Sequence, residues 1–501
     1  MPSQDRREKS NAPATGPFET LRDYVAALEA RGLLLRLQEV DQDRYDATGF
    51  AYRLIDKFGQ AGAPAFLIER IKIDGRWRDG PVIGNLYGRW DMEAMIFGIE
   101  DVVDDQERMY PAVLEKLFEK LDAGGQWKKI SPVHVTAAEA PCKEVVISGS
   151  DVDVEAFPWL KNNPADAGRY VNTGAVFLED PTIGRNVGTY RCQVKGKTRL
   201  GLDANPGQHG GRLLNAMKNR GEKTAKVAIA LGVDPLIWSL STSKLAGFGE
   251  DEIEIAGGLK GAPIELVKCE TSQLMVPARA EMIIEGEVPL NEMEPEGPYG
   301  EMYGYLGPMK QRNWVVNVTA ITRRHAPIFF NSYTGICFDM VRGPLLANYH
   351  WSFRRAIPGL TGVYSFPEAS GLVVAGIRKR FPGEGMQAGQ SIAADPTVKV
   401  AIVVDHDVNL MNPLQVFHAL AARWQPKASA VTPQTFLQIP DPSRPIRYLS
   451  SKMVIDATKQ WPEEGGPPTW PESSRRLLEA HQSDLWQRID RLWSEVVGKA
   501  K

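Results

Sequence analysis

Apolar residues in the first quarter of the chain recur at the spacing of a helix face. Leu21, Tyr24 and Leu28 lie on one such face. Gly32 follows them and ends the helix, which is predicted over 18–31. Further helices are predicted over 45–58, 91–98 and 105–122, and short strands over 65–69 and 81–85. This alternation predicts an α/β unit over 18–125, after a polar lead-in, 1–17, that is predicted to be disordered.

The apolar runs become shorter from 126 to 330, and Gly and Pro separate them. Six strands are predicted there, over 144–147, 174–178, 227–231, 263–267, 281–286 and 314–319. Helices are predicted only over 210–220 and 250–257. Many short strands between turn residues are typical of a β-barrel or a β-sandwich.

Residues 331–455 return to an α/β pattern, with a buried strand predicted at Val398–Val404 and a helix at Pro413–Trp424. The stretch 456–501 is predicted to be a linker and a terminal helix. That helix carries one apolar stripe, formed by Leu478, Leu485, Ile489, Leu492 and Val496. The stripe either caps its own domain or packs on a partner chain, and the second alternative predicts an oligomerisation helix in a homodimer or larger homo-oligomer.

Composition excludes several classes of protein. The 501 residues include 59 basic and 62 acidic ones, and the net charge of −3 gives no strong attraction to nucleic acid or to an anionic membrane. The four cysteines stand far apart, which argues against a zinc ribbon or a disulfide framework and fits a reducing cytoplasm. No apolar run approaches the length of a membrane span, about 18 residues. A cytoplasmic protein is therefore expected.

Two glutamates, Glu296 and Glu301, flank the sequence Gly-Pro-Tyr-Gly. Proline at the second position favours a type I turn over 297–300. With strands on both sides of that turn, the two glutamates form a cross-strand pair with Cβ atoms about 5 Å apart. Repulsion between such close carboxylates is relieved when one of them keeps its proton, which provides an acid and a base. The alternative is an exposed acidic hairpin with both side chains in water.

Three further motifs precede this hairpin. They contain Asn186 and Arg191, then Gln208 and His209, then Glu254 in an acidic run. Each has an ordinary explanation when taken singly: a turn cap, a surface ion pair, a loop histidine or a solvated helix face. Their combination in one order is more specific than any one of them.

Together these motifs resemble the UbiD family of prenylated-flavin-dependent decarboxylases, which includes ferulic acid decarboxylase. The matching stretches are 166–173, 186–191, 208–209, 254, 268–271, 296–305, 402–408 and the helix to Arg423. The resemblance covers roughly 18–455 and implies an α+β fold. A central split β-barrel domain, 126–330, is then expected to bind the flavin, flanked by the N-terminal α/β unit and by a C-terminal α/β domain with its terminal helix.

The resemblance implies that prenylated FMN and a divalent ion share one pocket. Asn186, His209 and Glu254 stand at the metal-binding positions of the family, and two oxygen donors with one imidazole suit Mn²⁺ or Mg²⁺. A K⁺ site is also compatible with the family, without assigned ligands. The other residues expected beside the cofactor are Thr189, Tyr190, Arg191 and Gln208, with Thr242 and Ser243 near its phosphate.

This chain departs from the family at two places. Tyr299 stands where the family commonly has phenylalanine, and the change is expected to be tolerated. Ferulate-type members hold the flavin phosphate with a C-terminal lysine. The matching residues here, Ser391–Pro396, contain no lysine, so that contact is not transferred.

By the same resemblance, Arg191 grips the substrate carboxylate, Glu296 orients Arg191, and Glu301 delivers the proton that replaces CO₂. The implied reaction is the reversible, non-oxidative decarboxylation of an aromatic, heteroaromatic or α,β-unsaturated carboxylic acid. The flavin serves as the electron sink in this reaction. A flavin prenyltransferase is the expected supplier of the cofactor.

Two alternatives stay open at this point. An ordinary flavin oxidoreductase on a split barrel needs a hydride source, and no strand-borne Gly-x-Gly-x-x-Gly is present for a nicotinamide nucleotide. A subunit of a multi-component carboxylase complex is the second alternative. The intact Arg191, Glu296 and Glu301 argue against a catalytically silent subunit.

Overall fold

Three successive units of mixed helix and sheet form the chain, as the pattern of apolar residues predicts. The computed structural model describes residues 15–438, 441–444 and 448–497, without the side chains of Asp79 and Val497. Most of the lead-in that is predicted to be disordered, residues 1–14, lies outside the described residues. Within those ranges no helix has the length and apolar character needed to cross a bilayer. All four cysteines are buried and unpaired.

The N-terminal unit places four helices around a small sheet. Its elements are α1 (Leu21–Ala30), α2 (Asp46–Phe58), α3 (Trp90–Ile96), α4 (Gln106–Phe118), β1 (Leu34–Asp41), β2 (Ala65–Ile73) and β3 (Arg76–Gly84). The four predicted helices and both predicted strands are confirmed to within a few residues. β1 was not predicted, because most of its side chains are at least partly exposed and no apolar run marks it.

The central unit contains three helices, α5 (His209–Asn219), α6 (Pro235–Thr242) and α7 (Glu252–Lys260). Its strands are β4 (Val133–His134), β5 (Val145–Ser148), β6 (Tyr170–Val171), β7 (Ala175–Asp180), β8 (Gly184–Thr189), β9 (Cys192–Gly196), β10 (Arg199–Leu202), β11 (Thr224–Leu231), β12 (Glu265–Lys268), β13 (Met275–Pro277), β14 (Met282–Pro289), β15 (Glu294–Glu296), β16 (Tyr299–Gly300), β17 (Leu306–Gly307), β18 (Lys310–Arg323) and β19 (Phe329–Phe330). All six predicted strands are present. α6 was not predicted, because seven of its eight residues are buried and no polar face gives it a helical period.

The large central sheet is antiparallel and has the order β6-β9-β10-β18-β14-β11-β7-β8. β18 is its longest strand, with 14 residues, and it pairs with β5, β10, β14 and β15. The last strand, β19, leaves this sheet and pairs with β3 of the N-terminal unit. One strand therefore organises the central sheet, and another joins that unit to the first.

The C-terminal unit is a five-stranded sheet with helices. Its elements are α8 (Gly343–Ala356), α9 (Glu384–Ala393), α10 (Pro413–Ala422), α11 (Ser474–His481), α12 (Leu485–Val497), β20 (Leu360–Tyr364), β21 (Leu372–Ile377), β22 (Val400–Asp405), β23 (Ser429–Phe436) and β24 (Leu449–Asp456). β21, β22 and β24 are parallel, and β20 and β23 are antiparallel edge strands. The buried strand and its helix are confirmed as β22 and α10, whereas the predicted terminal helix is divided into α11 and α12.

A buried carboxylate joins the N-terminal unit to the start of α8. Glu93 on α3 is fully buried and accepts hydrogen bonds from the backbone N–H groups of Arg342, at 2.8 Å, and Gly343, at 2.7 Å. The Arg342 guanidinium lies 3.8 Å from the same carboxylate and 4.4 Å from the ring centroid of Trp90. Burial raises the pKa of Glu93 to about 7, against the opposing effect of Arg342. Glu93 thus caps the N-terminus of α8 and forms an ion pair with Arg342, the residue that precedes this helix.

Replacing Glu93 should weaken this junction. We expect Glu93→Ala to destabilise the protein by about 3–5 kcal/mol, because it leaves the guanidinium of Arg342 buried without its anion. Thermal unfolding followed by calorimetry measures the effect, and Glu100→Ala, at an exposed position nearby, is the control. Equal melting temperatures for the two variants would contradict this interpretation.

The terminal helix leaves a large apolar surface uncovered. Leu492, Trp493 and Val496 on α12 are 54%, 64% and 63% exposed. Such side chains contribute roughly 1.5–3 kcal/mol each when they are buried. We therefore expect truncation after residue 470 to reduce the oligomeric state or to cause aggregation, as measured by light scattering. Leu492→Glu, which keeps the helix, should act in the same direction. A truncated protein of unchanged size and solubility would exclude an oligomerisation role for this helix.

Candidate active site

Arg191 lies just beyond the end of β8 and is surrounded by three carboxylates. Its Nε and Nη2 donate to the two oxygens of Glu296 at 2.9 and 3.0 Å, and its Nη1 donates to Glu301 at 2.8 Å. Asp203 lies 3.3 Å from Nη2. The Arg191 side chain is only 10% exposed. The structure therefore brings together all three residues that the resemblance assigns to catalysis.

The hairpin that carries the two glutamates differs from the prediction. Glu296 in β15 pairs with Lys310 of β18. Residues 299–300 form β16, which pairs with β17, so 297–300 is not a type I turn. The chain turns later, where the Glu301 N–H donates to the Tyr305 carbonyl at 2.9 Å. Glu296 and Glu301 are thus not cross-strand partners. Arg191 separates them, which relieves their repulsion without the geometry that the sequence suggested.

Asp203 was missed in the sequence, where no motif marks it. It follows β10 and forms an ion pair with Lys310 from the first position of β18. Asn313, three residues further along β18, donates to Asp203 at 3.3 Å and to Glu296 at 3.4 Å. Side chains of β18 therefore hold both Asp203 and Glu296 in place.

Tyr299 supports Arg191 from below the guanidinium plane. The Arg191 Cζ lies 4.8 Å from the Tyr299 ring centroid, a cation–π contact. The Tyr299 hydroxyl accepts from Asn172 at 3.1 Å and shares a hydrogen bond with Thr334 at 3.0 Å. Burial raises the pKa of Tyr299 to about 12, so its hydroxyl stays neutral. The hydroxyl that distinguishes this chain from a phenylalanine-bearing relative therefore has partners, in agreement with a tolerated change.

A second polar cluster surrounds Asn186 on β8. Its Nδ2 donates to Glu252 at 2.9 Å, and the backbone N–H of Val187 donates to the other Glu252 oxygen at 2.9 Å. His209 Nδ1 lies 4.0 Å from Glu252. Asn186 and His209 thus converge as predicted, and the first residues of α5 and α7 supply two of the three side chains.

The predicted third member, Glu254, is not in this cluster. It accepts a hydrogen bond from Ser131 at 3.1 Å, on another side of α7. Residues two apart on a helix point about 200° apart, so only one of Glu252 and Glu254 can face Asn186. The prediction of Glu254 is corrected to Glu252. The acidic run contained both, and nothing in the sequence fixed the rotation of the helix.

The remaining predicted cofactor residues lie around the same cluster. The Tyr190 hydroxyl donates to Asn186 at 3.1 Å and accepts from the Gly210 N–H at 2.9 Å, and burial raises the pKa of Tyr190 well above its usual range. Gln208 accepts from the Asn205 N–H at 2.9 Å and so shapes the loop before α5. Tyr190 thus orients Asn186, whereas Gln208 holds a loop.

The predicted hydroxyl groups have local partners. Thr189 shares a hydrogen bond with Ser241 at 3.0 Å. Thr242 donates to the Trp238 carbonyl at 3.0 Å, and Ser243 donates to the Ser239 carbonyl at 2.6 Å, both at the end of α6. The hydroxyls of Thr242 and Ser243 therefore donate their hydrogen bonds to the backbone of α6 rather than to a ligand.

Glu301 is reachable from outside the protein. A small cavity of about 40 Å³ is lined by Glu301, Tyr299 and Thr334 and extends to the exposed Tyr305. Asp166 closes it from the side and accepts from the Gly300 N–H at 2.9 Å. The arrangement combines a fixed cation, a carboxylate that shares it, and partial exposure of that carboxylate to solvent. It can hold an anionic group and exchange a proton beside it.

Three family models match consecutive parts of the chain. They describe the N-terminal, Rift-related and C-terminal domains of 3-octaprenyl-4-hydroxybenzoate carboxy-lyase and match residues 25–116, 133–337 and 347–457. An uncharacterized protein of Archaeoglobus fulgidus is 30% identical over 498 residues, which are 96% of this chain and 98% of that protein.

Solved structures of two enzymes share this fold. The UbiD-class enzyme HmfF from Pelotomaculum thermopropionicum, in complex with FMN, is 29% identical with a TM-score of 0.76, covering 91% of this chain and 98% of its own. An evolved dimeric form of HmfF, in complex with prFMN, is 29% identical with a TM-score of 0.74, covering 91% of this chain and 97% of its own. Vanillic acid decarboxylase from Sedimentibacter hydroxybenzoicus, in its closed form, is 27% identical with a TM-score of 0.76. The match covers 93% of this chain and 99% of that one.

Proposed function

The chain belongs to the UbiD family of carboxy-lyases, and we propose that it decarboxylates an aromatic, heteroaromatic or α,β-unsaturated carboxylic acid reversibly, using prenylated FMN. The observation that carries this proposal is the buried Arg191, held by Glu296 and shared with Glu301. Membership of a carboxy-lyase family favours decarboxylation over the oxidoreductase alternative. The complexes of HmfF with FMN and prFMN support the choice of cofactor.

The second cluster is the metal site of this proposal. Glu252 is buried, and its partners among the described residues are two neutral N–H groups and His209, with no lysine or arginine in ion-pair distance. A buried carboxylate of this kind is stabilised by a cation. Asn186, His209 and Glu252 would hold Mn²⁺ or Mg²⁺, because oxygen donors with one imidazole suit these ions. A K⁺ ion is part of the same proposal, without assigned ligands.

Arg191 would bind the substrate carboxylate through Nη1. Glu296 and Asp203 occupy Nε and Nη2, so Nη1, which Glu301 shares, is the side left for a second anion. A substrate carboxylate that takes this position separates Glu301 from its cation and places an anion beside it. Glu301 would then lie beside the bound acid, where it can deliver the proton that replaces CO₂.

When bound, prenylated FMN supplies the electron sink for loss of CO₂. The residues of this chain supply the rest: Arg191 orients the acid, Glu296 fixes Arg191, and Glu301 moves the proton. A flavin prenyltransferase would supply the cofactor. The exposed stripe on α12 favours a homodimer or a larger homo-oligomer.

The most direct test is a panel of carboxylic acids assayed for CO₂ release, with protein produced with and without a flavin prenyltransferase. We expect release only from protein made with the prenyltransferase. On the best substrate, Glu301→Gln should lower turnover by at least about 10²-fold, the usual scale of general acid catalysis. Glu296→Gln should also be impaired, through misplacement of Arg191.

The control for this variant is Glu292→Gln, an exposed carboxylate on the same stretch that pairs with Arg199. Bound flavin is measured by absorbance in each sample, so that loss of cofactor is separated from loss of chemistry. Near wild-type turnover by Glu301→Gln with full flavin would exclude Glu301 as the acid.

Two matched variants, Glu252→Gln and Glu254→Gln, test the assignment of the metal ligands. Glu252→Gln should lose the co-purified divalent ion, because it removes the buried negative charge of the cluster, whereas Glu254→Gln should keep it. His209→Ala should lose metal and flavin together. Elemental analysis and flavin absorbance measure both. Loss of metal from Glu254→Gln but not from Glu252→Gln would reverse the assignment.

A further inference from the structure

Two cations lie beside the proposed metal cluster. Arg212 stands one turn after His209 on α5, and its guanidinium lies 3.5 Å from the ring centroid of Phe248. The His209 ring contacts the same phenylalanine, with centroids 5.4 Å apart. Lys244 directly follows Ser243, the residue that caps α6. Lys244 lies in the loop between α6 and α7, four residues before the phenylalanine on which Arg212 stacks, so this loop carries one cation and contacts the other. Burial and the positive charge of Arg212 both lower the pKa of Lys244.

The carboxylates around these cations are already paired elsewhere. Glu250 binds Lys129 at 2.7 Å, and Asp251 lies 3.4 Å from Arg185. Glu252 belongs to the cluster with Asn186 and His209. Within the described ranges, neither Arg212 nor Lys244 has a carboxylate in ion-pair distance. Two adjacent positive charges without a counter-charge form a site for an anion.

The proposed flavin brings such an anion to this place. The resemblance places its phosphate near Thr242 and Ser243, yet the hydroxyls of these two residues donate to carbonyls of α6. The C-terminal residues Ser391–Pro396 contain no lysine to neutralise it. The dianionic phosphate therefore requires positive charge from another part of the chain, in addition to a divalent ion.

We propose that Arg212 and Lys244 form the subsite for the phosphate monoester of the flavin mononucleotide. The proposal rests on the proposed function, because that function places the flavin here. The planar guanidinium of Arg212 can donate two parallel hydrogen bonds to one phosphate, and the ammonium of Lys244 can contribute a point charge. Phe248 restricts the motion of the Arg212 fork by stacking against it. The chain thus replaces a distant lysine by two local cations.

A comparison of FMN with riboflavin isolates the phosphate contact. The full-length apoprotein, made without a prenyltransferase, is titrated with each flavin in the presence of Mn²⁺, and binding is followed by fluorescence quenching. We expect Arg212→Met and Lys244→Met each to raise the Kd for FMN by about tenfold or more, the scale of a charge-assisted hydrogen bond. Their Kd for riboflavin should stay within about twofold of wild type, because riboflavin lacks the phosphate. Lys268→Met, at an exposed lysine away from the site, should change neither.

Each of the other outcomes excludes either the phosphate subsite alone or the subsite together with the flavin assignment. Equal weakening of FMN and riboflavin would show general damage to the pocket and exclude the subsite. Unchanged FMN affinity in the double variant would exclude the subsite but leave the proposed function intact. A wild-type protein that binds neither flavin would overturn the flavin assignment and the subsite with it. Inorganic phosphate should compete with FMN only weakly, and competition at the affinity of FMN itself would identify a site for free phosphate instead.

Discussion

One buried guanidinium, that of Arg191, constrains the architecture around it. It needs anions, because an unpaired charge at this depth is strongly unfavourable. Three carboxylates provide them, two from the hairpin that carries Glu296 and Glu301 and one from Asp203 after β10. Three negative charges around one positive charge require a second cation, and Lys310 supplies it at Asp203. With three carboxylates and two cations the cluster keeps one negative charge in excess, so removing either cation leaves buried carboxylates without a partner. The candidate active site and the packing of this region therefore depend on the same few side chains.

The cluster of Asn186, His209 and Glu252, which we propose as a metal site, follows a different physical rule. Its histidine and glutamate are the first residues of α5 and α7, so two helix N-termini point toward Asn186. The positive ends of helix dipoles and their free N–H groups favour anions. A carboxylate and a phosphate both benefit from this field, whereas an unassisted metal ion does not. The arrangement is therefore suited to a metal ion that arrives with an anionic cofactor rather than alone.

The sequence predicted those parts of the molecule in which local pattern and final environment agree. α1 shows a clear apolar face because one side packs on a core and the other meets water. α6 has no such contrast, since it is buried on all sides, and β1 has too little burial to show a strand pattern. In the site, the order of motifs identified Arg191 and its two glutamates. The rotation of α7 and the approach of Asp203 depend on tertiary packing, so neither Glu252 nor Asp203 could be recognised beforehand.

The length and position of β18 limit which sequence changes this segment can accept. Its first residues, Lys310 and Asn313, hold two carboxylates of the site, and its far end pairs with β5 and β14. Fourteen residues extend over roughly 45 Å at about 3.3 Å each, so one continuous strand links the end at the candidate site to the distant edge of the sheet. Its pairing with β14 shifts register once, between Glu285 and Gly286. Substitutions along this strand act locally. Inserting or deleting one residue would exchange its two faces and displace the charges at the site. Natural and engineered variation in this segment should therefore consist of replacements at constant length, with indels confined to the loops on either side.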